Sequence, residues 1–174
     1  MKRRSAALAL GLALTALAAG AKPRMNYNPK TELIARTRKL IAEFPFASLD
    51  ACGRFFGVKI PPEPQGGSNE YFQVYEADTP GDPLIRHIEL RANFSRQDRV
   101  QLLNIDLREP VDLGFDQLGA ALGRKGVPMG PSVTHLPDRG AYGKFALTRG
   151  ELRAGYTGLD MRRIQSLSID VPSR

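Results

Sequence analysis

Apolar residues first recur with a helical period just after residue 28. Leu33, Ile34, Thr37, Leu40, Ile41 and Phe44 share one face, while Glu32, Arg36, Arg38, Lys39 and Glu43 fall outside it. Asn28-Pro29 supplies a cap and a proline at the first helical position, and Pro45 stops the helix. Ser48 caps a second helix reaching Phe56, with Leu49, Cys52, Phe55 and Phe56 inward and Gly57 at its end. The Pro/Gly-rich stretch 61–69 reads as a loop. Strands are predicted at 71–77, 84–92 and 99–107. In the third of these Leu103, Ile105 and Leu107 take one face, and Val100, Leu102, Asn104 and Asp106 the other.

The pattern then returns. A helix at 115–122, a loop at Gly123–Gly140 and strands near 142–148, 151–156 and 162–171 follow in the same order. Arg99-Val100-Gln101-Leu102-Leu103-Asn104-Ile105-Asp106-Leu107 is echoed by Arg163-Ile164-Gln165-Ser166-Leu167-Ser168-Ile169-Asp170-Val171, displaced by 163 − 99 = 64 residues. Leu49-Asp50-Ala51-Cys52-Gly53-Arg54-Phe55-Phe56-Gly57 is echoed by the segment from Phe115 to Gly123, displaced by 115 − 49 = 66. Two echoes in one order at nearly one offset indicate an internal duplication. The expectation is therefore an α+β fold of two tandem helix–loop–three-stranded antiparallel meander units with an extra N-terminal helix. Residues 1–21 form a leader, 22–30 a flexible lead-in, 31–109 the first unit and 110–174 the second. Arg108 to Gly114 joins the units directly, which predicts one curved sheet or two sheets sharing a core. Leu103, Ile105, Leu167 and Ile169 are the predicted heart of that core.

The leader changes how charge is read. Met1-Lys2-Arg3-Arg4, an apolar run from Ala6 to Ala19 and Ala19-Gly20-Ala21 form a secretory signal, too short for a membrane span of about 20 residues. Cleavage near Ala21 leaves 25 − 3 = 22 Lys plus Arg against 18 Asp plus Glu, a net charge of +4. The remaining cations are dispersed among acids, which argues against a nucleic-acid partner. A periplasmic or secreted protein with no membrane span after cleavage is expected. The single cysteine, Cys52, excludes an intramolecular disulfide and a lipid anchor at the cleavage site, and its repeat counterpart is Leu118, so it reads as a small buried hydrophobe.

This order of elements in an exported chain resembles the β-lactamase-inhibitor protein architecture and the single-unit outer-membrane assembly lipoproteins of the SmpA/OmlA type. The chain departs from both, lacking the lipobox of the second and the paired disulfides of the first. The resemblance implies a sheet used as a protein-binding face.

Catalytic chemistry is poorly represented. His87 lies on the polar parity of its strand with Glu89 and Arg91, and His135 lies in a loop near Asp138; neither has metal-ligand spacing. Asp50 and Asp116 read as first-turn helix acids, and Asp106 and Asp170 as outward strand residues. No enzymatic role, cofactor or metal is expected. The function expected is a periplasmic protein-binding or inhibitory protein, in its specific form an immunity protein against a toxic hydrolase. The alternative is a structural or assembly accessory of the cell envelope. The long loop Gly123–Gly140 carries the candidate binding residues Arg124, Lys125, Met129, His135, Asp138 and Arg139, with Val127 and Leu136 as further apolar anchors.

Overall fold

The computed structural model describes residues 27–69, 71–93, 100–130 and 140–171. Among these, three helices, α1 (Pro29–Glu43), α2 (Leu49–Phe56) and α3 (Phe115–Leu122), accompany seven strands. The strands are β1 (Phe72–Asp78), β2 (Ile85–Asn93), β3 (Val100–Asp112), β4 (Gly126–Met129), β5 (Tyr142–Leu147), β6 (Gly150–Tyr156) and β7 (Arg163–Asp170). All seven join one antiparallel sheet in the order β1-β2-β3-β7-β6-β5-β4.

The helices form where the caps and apolar faces place them. Asn28 Oδ1 accepts from the Lys30 and Thr31 amides at 3.0 and 3.2 Å, and Leu33, Thr37 and Leu40 are buried. Ser48 Oγ accepts from the Ala51 amide, and Gly57 closes α2 with φ 68°, a left-handed conformation that favours glycine. Gly123 closes α3 in the same way at φ 62°.

The expectation of two tandem helix-plus-meander units is overturned. There is one seven-stranded sheet among the described residues, and its β3–β7 seam is a paired ladder, interrupted once between Asp106 and Val111, with Leu103 opposite Ile169 and Ile105 opposite Leu167. All four of these residues are buried. The core is also shared across the seam, because Leu167 lies beside Leu33, Thr37, Leu40, Phe55 and Phe56 of α1 and α2. Helices of the first half thus cover apolar sheet residues of the second, and the two halves share one core.

The echo in the sequence survives as a repeat of register within this sheet. Ile88 pairs with Ile105 and Leu152 with Ile169, displaced by 152 − 88 = 64 and 169 − 105 = 64. Asn104 pairs directly with Ser168, its own echo at 168 − 104 = 64, so a local two-fold axis passes through the middle of the seam. In the outer strands Tyr75 pairs with Leu90 and Gly143 with Ala154, where β1 is displaced from β5 by 143 − 75 = 68. The difference of four residues comes from the turns, 79–84 on one side and 148–149 on the other.

Three further details differ from the sequence reading. β3 continues through Asp112 where a connector was expected, bending where Arg108–Pro110 bulge between Asp106 and Val111. Val100 is buried instead of facing outward with Leu102, because a bulge at Gln101 reverses the parity: Arg91 faces Leu102, but Ala92 faces Val100. The predicted loop Gly123–Gly140 contains the edge strand β4, paired along β5 from Gly126↔Phe145 to Met129↔Tyr142. Phe115 lies on this pair, where an added Cβ on Gly126 or Gly143 would come within 2.6 or 2.5 Å of its ring. Two glycines in neighbouring strands thus make the notch that seats α3.

Candidate functional site

The helices cover one face of the sheet and leave the other open. Antiparallel strands put directly opposed residues on the same face, so the register orders the open face into rows. The central row runs Glu76, Glu89, Asn104, Ser168, Arg153, Lys144 and Val127, from β1 across to β4. A second row runs Asp78, His87, Asp106, Ser166, Gly155, Tyr142 and Met129. A third holds Val74, Arg91, Leu102, Asp170, Glu151 and Ala146, of which Val74 is buried beneath the loop before β1.

At the seam these rows enclose a shallow depression of about 220 Å³, lined by His87, Glu89, Asn104, Asp106, Ser166 and Ser168. Its carboxylates are held in place: Glu89 accepts from Arg91 at 2.7 Å and from Asn104 at 3.0 Å, and Asp106 accepts from Arg86 at 3.0 Å. His87 Nδ1 lies 2.9 Å from Asp78 Oδ1. Toward β5 and β6, Glu151 sits between Lys144, at 2.9 Å, and Arg153. Partial burial opposes ionisation of Glu151, but bonds from Lys144 and Arg153 outweigh it and hold its carboxyl below the usual carboxylate range.

The β4 corner collects three of the candidate binding residues. Arg124 donates to the Ala146 carbonyl at 2.6 Å, Lys125 is exposed at the entry to β4, and Met129 faces Tyr142 on the open side. Val127, 57% exposed, lies between them opposite Lys144. His135, Asp138 and Arg139 lie outside the described residues. Sequence reasoning missed Tyr142 and Lys144 as neighbours of this corner, since only strand pairing brings them beside β4.

The two sheet edges differ. The Gln65 amide donates to the Val74 carbonyl at 2.8 Å and Ser68 Oγ accepts from the Val74 amide at 3.0 Å, so the loop before β1 shields that edge. β4 is shortened to four residues and interrupted by Pro128.

Among the described residues no group of three or more His, Cys, Asp or Glu comes together as a metal site. Cys52 is buried, and desolvation pushes its thiol up to about 12, which leaves it a packing residue. Asp50 and Asp116 stand in the first turns of α2 and α3. No helix of the described residues is long and apolar enough to cross a membrane. Comparison with family models, with curated proteins and with solved structures finds no match to this chain.

Proposed function

We propose that this protein is an exported binding protein that engages another protein and inhibits it, in its specific form an immunity protein acting on a hydrolase that reaches the periplasm. The observation that carries the reading is the β4–β5 corner, where exposed Val127 stands with Met129 and Tyr142 among Arg124, Lys125 and Lys144. Methionine, tyrosine and arginine around an apolar centre are the residue types that protein interfaces favour. The secretory pattern of residues 1–21 supplies the compartment.

Affinity capture with the purified protein from envelope and secreted fractions tests the reading. A hydrolase whose activity falls on addition of the protein supports it; recovery of outer-membrane assembly machinery supports the accessory role instead. With a partner in hand, replacing Arg124, Lys125, Val127 and Met129 together by alanine is expected to weaken binding at least about tenfold, equivalent to about 1.4 kcal/mol, with thermal stability retained. Unchanged affinity in the folded variant would move the interface elsewhere.

A further inference from the structure

The central row of the open face is a charge palindrome. From β1 to β5 it reads Glu76, Glu89, Asn104, Ser168, Arg153, Lys144. The two ends occupy equivalent places in the repeated register, with Lys144 displaced from Glu76 by 144 − 76 = 68 and Arg153 from Glu89 by 153 − 89 = 64, the offsets found for their strands. At one end two carboxylates stand directly opposite each other on neighbouring strands; at the other, two cations do. Like charges directly opposed across a ladder are destabilising, and here both signs occur at matching positions. Glu89, Arg153 and Lys144 have neighbours that offset part of this repulsion, Arg91 for the first and Glu151 for the other two. Glu76 has no ion pair among the described residues.

We propose that the open face is the surface on which a second copy of this chain docks, face to face, about a two-fold axis parallel to the strands and running along the β3–β7 seam. That rotation carries each strand position across the seam onto its mirror position. Glu76 of one copy then faces Lys144 of the other, Glu89 faces Arg153, and Asn104 faces Ser168. A two-fold axis brings each contact twice, so the interface is isologous and closed. The orthogonal choice, an axis across the strands, sets Glu76 and Glu89 against themselves and is rejected by charge. Six strands about 4.8 Å apart and about 20 Å long give roughly 500 Å² of face per copy, or about 1,000 Å² in total. This lies at the lower bound for specific association, so the dimer is weak and sensitive to salt. The docking face shares Lys144 with the corner proposed above as a partner site, but oligomeric state is measured without that partner.

Sedimentation equilibrium of the purified protein is expected to show a reversible dimer at about 20 mM salt that dissociates at about 500 mM, as the Debye length falls from about 20 Å to about 4 Å. The double variants Glu76→Lys/Glu89→Lys and Lys144→Glu/Arg153→Glu each make the row single-signed, and each is expected to be monomeric at low salt. An equal mixture of the two is expected to dimerise again, because a basic row then meets an acidic one. A wild type monomeric up to about 500 μM at low salt, far above the micromolar range of modest association, overturns the proposal. So does persistent dimerisation of either variant, or a mixture of folded variants that stays monomeric. If either variant loses its far-ultraviolet circular dichroism, concentration-dependent NMR shifts of the unsubstituted protein decide instead. Shifts confined to Glu76, Glu89, Asn104, Arg153, Lys144 and Ser168 support the docking, and their absence or appearance on the helical side refutes it.

Discussion

Tyr156, the last residue of β6, is fully buried, yet its hydroxyl has no hydrogen-bond partner among the described residues. Burial, reinforced by the charge of Asp116, pushes its phenol well above the ordinary range. A buried polar atom left unpaired costs about 1–3 kcal/mol. Tyr156→Phe is therefore expected to raise the free energy of unfolding in urea by about 1 kcal/mol, against the usual direction of core substitutions; a loss would show that the hydroxyl is satisfied. Leu103 and Leu167 make the contrast, since both are buried at echoing positions in the seam strands. Truncating either to alanine is expected to cost about 2–5 kcal/mol in the same measurement. These inward parities were legible in the alternation of the sequence. The environment of Tyr156 was not, because the elements that enclose it are distant in the chain.

At the scale of elements, α1 is tied to the β1–β2 turn by charge. Arg36 binds Glu32 at 2.6 Å and also Asp82, whose Oδ1 accepts from the Leu84 and Ile85 amides at 2.8 and 3.0 Å. Arg108 donates to the Asp82 and Thr79 carbonyls from β3. Burial opposes the Asp82 charge, but the Ile85 amide, Arg36 and the Leu84 amide together outweigh it and lower its pKa. A folded-state value below the unfolded one gives stability that is fully present above the ordinary carboxylate range and is lost as pH falls through the folded value. Stability is thus expected to be level from pH 7 to about 5 and to decline below about pH 4. Asp82→Asn is expected to cost about 1–3 kcal/mol at neutral pH and to flatten part of that decline. Urea titrations across pH check both. The Phe115 notch gives a second test: Gly143→Ala puts a Cβ within 2.5 Å of the ring, and about 1–3 kcal/mol of overpacking is expected. A stability within about 0.5 kcal/mol of wild type would show that the ring moves aside freely.

For the whole molecule, the continuous seam implies a single cooperative unit. Leu167 of the second echo is packed beneath α1 and α2 of the first, so residues 110–174 alone lack the cover for their own sheet face. Thermal unfolding of the protein is expected to follow one transition with coincident near- and far-ultraviolet signals. The isolated segment 110–174 is expected to stay unfolded, and a cooperative melt of that segment would restore the picture of separable units.

The residues themselves determined the elements. Capping Asn28 and Ser48, the terminal glycines of α2 and α3, and the alternation around Leu103 and Leu167 place the three helices and five of the strands within one or two residues, and the start of β3, because caps and periodicity are local. They also contained the echo at 64 residues. Only the tertiary structure decided what the echo means, joining β3 to β7 edge to edge so that seven strands share one core. β4 escaped notice because Gly126 and Pro128 carry loop signals, and pairing with β5 overrides them. The bulge at Gln101 turned Val100 inward by inserting one unpaired residue, which alternation counted on a straight strand cannot register. The charge palindrome of the open face likewise has no signature along the chain. Its members lie on six strands, and only their pairing register sets Glu76 and Glu89 in line with Arg153 and Lys144.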